Sequence, residues 1–522
     1  MSFGHRVDEL IEAQGNALTM AAPHWQRVTL GEVAAVVNGF PFDSDGFNNE
    51  QGVPVIRIRD VVPGYASSYF NGSADRAPRV ETGDLVIGMD GDFNCRLWAG
   101  PPALLNQRVC KVAPNESLYS KRLLAYALPG YLKLVNDHTS AVTVKHLSSR
   151  TVEAIPLPLA PRTEQDRIVS KIDELFSRID EGEQALQRVA KLVERYRQSV
   201  LKAAVTGELT RDWREARKRA GEPVESGAAL LDRILKARRT AWEQAELAKL
   251  KAKGKTPTDD RWKQKYKEPA PPDTTDLPGL LEGWVWASLE QLAAPDKNAI
   301  TDGPFGANLK TKHYTEHGPR VVRLQNIKDG MFSDDRAYIS EEHFARLQKH
   351  RVFAGDLLLA ALGETLPRAC MAPSTLGPAI VKADCIRFKP SPFVISPCVM
   401  AFLNSQPTRD RTAITVHGVG RPRLNLAEIR ALPVPLPPAS EQLEIAERVA
   451  TQTDSAARLS ASQRQESDYA AALRQSILKA AFSGQLVPQD TNDEPASKLL
   501  ERIAAERVNS AMLQRKRTEK TA

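Results

Sequence analysis

Two short runs carry the side chains best suited to chemistry in this sequence. In VPVIRIRDV, Arg57, Arg59 and Asp60 interrupt a strand-like apolar run, and in PRVVRLQNI the matched places hold Arg323, Gln325 and Asn326. An arginine can grip guanine with two hydrogen bonds, Asn or Gln can do the same for adenine, and Asp can accept from the amino group of cytosine. Differences between the two sets would then encode different base sequences. Arg57 and Arg323 are the same residue in both, which suits a shared phosphate contact or a structural ion pair better than base reading. Lys145 with His146, and Arg421 with Arg423, each precede a proline-rich segment and could meet phosphates. For every one of these residues a purely structural role is the competing reading.

Bond-making chemistry finds less support. The N-P-P-[FY] tetrapeptide expected of a base-amino methyltransferase is absent, and Gly254, Lys255 and Thr256 lack the upstream glycine of a phosphate-cradling loop. Nine histidines make neither H-E-x-x-H nor a His/Cys cluster. Gly418 and Gly420 run into Arg421, Pro422 and Arg423, which is no dinucleotide fingerprint. The five cysteines, Cys95, Cys110, Cys370, Cys385 and Cys398, form no C-x-x-C pair and are expected to be reduced, mostly buried thiols. No catalytic residue, metal site or cofactor is therefore expected on this chain. The alternative is a DNA-modifying enzyme, a nuclease or methyltransferase, whose active site goes unrecognised.

The elements that position these residues occur twice. AIPLPLAPRTEQDRI (154–168) matches ALPVPLPPASEQLEI (431–445), and SVLKAAVTGEL (199–209) matches SILKAAFSGQL (476–486), both at a step of 277 residues. Upstream the step is smaller: Trp25 and Leu30 correspond to Trp284 and Leu289, a step of 259. NGFPF (38–42) corresponds to DGPFG (302–306), and TGDLVIG (82–88) to AGDLLLA (354–360). Cys95 and Cys110 correspond to Cys370 and Cys385, each pair fifteen apart. Short apolar runs broken by Gly, Pro and Asn predict α/β or α+β modules, present in two copies.

After each proline-rich hinge the texture turns helical, with Thr163 and Ser440 placed to cap and Gly207 and Gly484 to terminate. Ile168, Ile172, Leu175, Ile179, Leu186, Val189, Val193, Tyr196 and Val200 recur at a 4-3 spacing broken only by Gly182, a coiled-coil seam. The second seam, through Ile445, Val449, Leu459, Leu473 and Ile477, is poorer, with Gln452, Gln463 and Glu466 at seam positions. An ordinary amphipathic bundle helix remains the alternative there.

The expected organisation is an N-terminal extension (1–23), a first module (24–153), hinge and helix (154–209), a basic helical insert and linker (210–280), a second module (281–430), hinge and helix (431–487) and a tail (488–522). Seventy-one Lys and Arg against sixty-four Asp and Glu give a net charge of +7, which suits a polyanion partner. No run of eighteen apolar residues and no secretory signal is present, so a cytoplasmic protein off the membrane is expected.

The order W-x-x-x-x-L, V-x-R-x-x-[DN]-[IV], G-D-L, I-P-[LV]-P-L-x-P-x-x-E-Q and L-K-A-A-x-x-G-x-L, given twice, resembles the specificity subunit of type I restriction–modification enzymes from about Trp25 to Leu486. Its most specific part is the hinge with Glu164-Gln165 and Glu441-Gln442. The resemblance implies two target recognition domains, each reading one half of a split, asymmetric site in double-stranded DNA. It implies two long helices packed antiparallel as a spacer, in a pseudo-twofold tandem repeat. It also implies partners: methyltransferase subunits, two of them, which hold S-adenosylmethionine, and restriction subunits that translocate and cut. The insert of seventy-odd residues after the first helix is longer than the family often has, so it permits the antiparallel arrangement without forcing it.

Overall fold

The computed structural model describes residues 7–14, 16, 18–139, 145–255, 257, 259–414 and 422–505. They form two compact units, one of residues 1–187 with 464–522, the other of residues 188–463. Two helices of 44 residues, Arg162–Val205 and Ala439–Phe482, each give one half to either unit. No helix among the described residues is long and apolar enough to cross a membrane.

In the first unit, strand Gln26–Thr29 pairs antiparallel with Pro156–Leu159, so the hinge prolines form an edge. A four-stranded sheet follows in the order Ala34–Asn38, Val109–Pro114, Leu85–Gly88, Cys95–Leu97. A second sheet, of five short strands, is built around the parallel pair Val53–Ile56 and Ala103–Leu105. The second unit has the same plan. Val285–Ser288 pairs with Pro433–Leu436, a four-stranded sheet runs Ile300–Asp302, Cys385–Phe388, Leu357–Ala360, Arg368–Met371, and a second four-stranded sheet holds Tyr314–Val322 parallel to Ala379–Val381.

The G-D-L segments are interior strands of the two all-antiparallel four-stranded sheets, and their unbroken apolar run is explained by burial on both faces. Leu85 and Ile87 enter a core with Trp25, Leu124 and Ile168, while Val86 between them enters a second core with Trp98 and Val109. Leu357 and Leu359 alternate with Leu358 in the same manner. The cysteine correspondence does not survive this register. Cys110 lies opposite Ile87, whereas Leu359, the equivalent of Ile87, lies opposite Ile386 and not Cys385. Cys95 likewise sits where Ala369 does, not Cys370. A one-residue slip reverses the face, so Cys110 belongs to the larger core and Cys385 to the smaller one. Burial pushes the Cys110 and Cys370 thiols up to about 12, which makes them packing residues rather than nucleophiles.

Residues 7–14, expected as an extension, are a helix whose Val7 and Leu10 are buried, Val7 in the core that holds Trp25. The long helices start at Arg162 and Ala439, one residue before the expected caps, so Thr163 and Ser440 lie inside the first turn. In the first unit Arg474 reaches Glu183 at 2.8 and 3.0 Å, and also Asp180, while Arg167 grips Asp493 with two hydrogen bonds. In the second, Arg448 pairs with Asp212 at 2.6 Å and the Tyr196 hydroxyl donates to Gln452. In the first unit Ile168 and Ile172 share a core with Ala481 and Phe482 while Glu183 meets Arg474, and in the second Ala204 and Val205 share a core with Ile445 and Ala446 while Tyr196 meets Gln452, so the two helices run in opposite directions.

Burial along the seams is uneven. Ile168, Ile172, Val200, Ile445 and Ile477 are buried where the helices lie on the sheet modules; Leu175, Ile179, Leu186, Val189, Val193, Val449 and Leu473 are half-buried. Tyr196 and Leu459 are exposed, at 51% and 46%, against the expectation for a seam. Two helices with only each other to lean on leave part of every facing side chain in water. Gln452 is explained by its bond to Tyr196; the side chain of Gln463 lies outside the described residues.

Gly207 ends the first helix in the left-handed region, φ +73°, and a Cβ there would fall 2.2 Å from Leu281 Cδ1. Gly207→Ala is expected to cost about 1–2 kcal/mol through strain and that overlap, read as a fall in the urea midpoint.

Candidate nucleic-acid interface

Strand Val53–Ile56 stops before the first candidates, and its backbone turns into a short helix, Ile58–Val61, with Arg57 at its cap. In the second unit Arg323 caps the matching turn, Leu324–Asn326. The reason is Asp60 and Asn326. Asp60 is 1% exposed and accepts from Arg57 N at 2.9 Å, Ser67 N at 3.1 Å and Ser67 Oγ at 2.6 Å. Asn326 is 0% exposed, accepts from Arg323 N at 2.7 Å, and donates to the carbonyls of Ser333 and Asp335. Both were expected as base-reading candidates. The structure corrects this: their hydrogen-bonding groups are spent on their own module's turn. Asp60→Ala should leave three donors without an acceptor and lower stability by about 1–3 kcal/mol, measurable as a shift in thermal midpoint.

Their neighbours face outward. Arg59 is exposed and donates to Ser67 Oγ and Ser68 Oγ at 3.1 and 2.7 Å. Arg57 lies over the Phe47 ring, 5.3 Å from its centre. In the second unit Arg323 pairs with Asp335 at 2.6 Å, and exposed Gln325 donates to the same carboxylate at 3.1 Å. Arg320 and Arg336 share Asp334, whose carboxyl they hold below its usual range, Arg336 foremost. The two turns thus match in backbone and differ in charge, since Arg57 and Arg59 have no ion-pair partner among the described residues. The Asp334–Asp335 pair escaped the reading of the sequence; its signal was the DDR run three residues after Met331.

A second set lies where the chain returns to the hinge. His146 and Arg423 occupy equivalent bridges, opposite Asp90 and Leu362. His146 Nδ1 is 2.6 Å from Asp90, which also pairs with Arg108, and Arg423 pairs with Asp384 at 2.8 Å. Both are close to half-exposed, at 46% and 49%. Lys145 is corrected: its ammonium donates to the carbonyl and side chain of Asn136, at 2.6 and 3.0 Å, clamping the end of helix Lys121–Asp137, where a cation is favoured. Arg421, with Gly418 and Gly420, lies outside the described residues. No hydrogen bond among the described residues joins the two sets.

Each module is fastened to its helix by the Glu-Gln pair. Glu164 and Glu441, 2% and 1% exposed, accept from the indole N–H of Trp25 at 3.2 Å and Trp284 at 2.9 Å. Gln165 accepts from Ser120 N and donates to the carbonyls of Leu118 and Ala160; Gln442 accepts from Ile395 N and donates to Pro437. Glu441 also takes Thr210 Oγ1 at 2.7 Å and Arg214, whereas the second oxygen of Glu164 has no hydrogen-bond partner and only His24 at 3.9 Å.

Helix-and-sheet modules that present Arg, Gln and His on short turns, carried on long helices, have the side-chain chemistry suited to nucleic-acid recognition. The model of the type I restriction modification DNA specificity domain matches residues 23–190. The chain is 33% identical to the EcoBI type I restriction enzyme specificity subunit of Escherichia coli, over 98% of each chain, and 22% identical to the EcoDI subunit of the same organism, over 93% of this chain and 96% of that one. A solved structure described as bearing on complex assembly and conformational transition of a type I R-M system superposes with a TM-score of 0.55 at 16% identity, covering 89% of this chain and 99% of that chain. The chain belongs to the family of type I restriction enzyme specificity subunits: it is a DNA sequence-specificity subunit, a non-catalytic targeting component.

Proposed function

We propose that modules 24–153 and 281–430 each read one half of a bipartite, asymmetric site in double-stranded DNA. The hinge-and-helix segments 154–209 and 431–487 act as an antiparallel coiled-coil spacer in a pseudo-twofold tandem repeat, setting the gap between half-sites and docking the partners. Those partners are two methyltransferase subunits, which bring S-adenosylmethionine, and restriction subunits that move along and cut DNA, all in the cytoplasm. This chain holds no cofactor of its own. The observation that carries the reading is the pair of turns at 57–60 and 323–326, alike in backbone and unlike in exposed side chains. A shared scaffold with different exposed groups is what two different half-sites need.

Cells co-expressing the chain with its methyltransferase subunit are expected to show, in single-molecule methylation mapping, one split motif that is missing when either gene is absent. No split motif, or methylation by the purified chain alone, would sink the proposal. Arg59→Ala is expected to relax one base position in one half of the motif, weakening binding by about 1–3 kcal/mol, and to leave the other half unchanged.

A further inference from the structure

Helix Gly227–Ala252 and the return after it carry a charge that the recognition turns do not use. The base of this arm is fixed. Leu230 and Ile234 are buried in the core of the second unit, and Arg238 donates to the carbonyls of Glu290, Ala293 and Ala294 at 3.1, 2.7 and 3.1 Å. The return is held against the helix by aromatic packing, with Trp262 stacked on Trp242 at 6.1 Å and Tyr266 tilted against Trp242 at 5.4 Å.

Between residues 249 and 268, eight Lys and Arg meet three carboxylates, a surplus of five in twenty residues, against +7 for the whole chain. Asp259 is taken by Arg261 at 2.6 Å, Asp260 by Lys263 at 2.9 Å and, just upstream, Glu246 by Lys249 at 3.1 Å; the third carboxylate, Glu268, has no ion pair among the described residues and offsets one lysine. Lys251, Lys253, Lys255, Lys265 and Lys267 are exposed and have no ion-pair partner among the described residues. The negative end of the helix dipole favours Lys249 and Lys251 in the last turn, but it falls off too fast to account for Lys255, Lys265 and Lys267.

We propose that this lysine arm holds the sugar-phosphate backbone of duplex DNA without regard to base sequence, a contact additional to the recognition turns. The inference rests on the chain being a DNA specificity subunit. Ammonium groups on long flexible stems are point charges, matched to phosphate and poorly suited to fixed base edges. A protein-docking face would offer an apolar centre ringed by polar groups, whereas here the rings pack on one another. Five unpaired like charges on one arm repel each other, and a polyanion relieves that repulsion.

The test is a full-length variant carrying Lys251→Gln, Lys253→Gln, Lys255→Gln, Lys265→Gln and Lys267→Gln, titrated by fluorescence anisotropy across about 50–200 mM salt. One duplex carries the mapped methylation motif, and the other has it scrambled. Each lost phosphate contact lowers the slope of log K against log salt by about 0.9, so a fall of about two to four is expected. Affinity should drop by the same factor on both duplexes, leaving the preference for the motif unchanged, and Lys→Arg at the five positions should keep the slope. An unchanged slope overturns the proposal even where motif preference persists. So does a variant that binds DNA normally but fails to assemble with the methyltransferase subunit, which would assign the arm to a protein contact. A wild-type chain with no preference between the duplexes would overturn the specificity reading itself, and this proposal with it.

Discussion

Inserting one heptad at matched positions in both long helices should lengthen the non-specific gap of the methylated motif by about three base pairs. Seven residues add about 10 Å of helix at 1.5 Å per residue, and duplex DNA rises about 3.4 Å per base pair. Both helices must change together. Each contributes to both units, and the pairs Arg474 with Glu183 and Tyr196 with Gln452 join one helix to the other. A heptad also preserves the facing of the seam, falling about 20° short of two full turns, where two inserted residues would rotate it by about 200°. Methylation mapping reads the result directly. The two half-site sequences should stay as they were, because no recognition turn is touched. A gap that stays fixed would overturn the spacer role.

The second large effect is expected at the fastening of the second module. Glu441 is 1% exposed and is shared by Trp284, Thr210 and Arg214, so Glu441→Ala strands three donors at once. Breaking a buried charge pair from one side costs roughly 3–5 kcal/mol; with Arg214 a quarter exposed, about 2–4 kcal/mol is expected here. The matching change in the first module should differ. Glu164 accepts only from Trp25 and leaves one buried oxygen without a hydrogen-bond partner, so Glu164→Ala strands a single donor and should cost about 1 kcal/mol. Urea unfolding followed by tryptophan fluorescence checks both, since Trp25 and Trp284 sit on the two carboxylates. Equal losses at the two sites would contradict the asymmetry.

Much of the scaffold was legible because its signals are local. The G-D-L runs, the proline hinges, the glycine stops and the helical spacing each declare themselves within a few residues. Long-range pairing does not. The Glu-Gln pair stood out as a motif, yet its task could not be read, because Trp25 lies 139 residues from Glu164. The cysteine match failed for a related reason: equal spacing along the chain says nothing about register, and one residue of slip moved Cys110 and Cys385 to opposite faces of their sheets. Asp60 and Asn326 misled in another way. A polar residue within an apolar run looks like a gap left for a ligand, but it is also what a buried backbone turn demands. Lys145 was misread because its acceptors, the carbonyl and side chain of Asn136, come together only at the end of a folded helix.

The pairing of Gln26–Thr29 with Pro156–Leu159, and of Val285–Ser288 with Pro433–Leu436, brings the chain into each module and out of it on adjacent strands. Four residue pairs form that doorway. The two modules differ by eighteen residues between these strands, so the doorway tolerates a change of length and sequence while the two short strands, the tryptophan and the Glu-Gln pair are retained. Under the proposed reading, a lineage would acquire a new target by recombining one such segment, inheriting the helices unaltered. The eighteen-residue difference in step between Trp25/Trp284 and Ala154/Ala431 is the mark such an exchangeable cassette would leave in a gene.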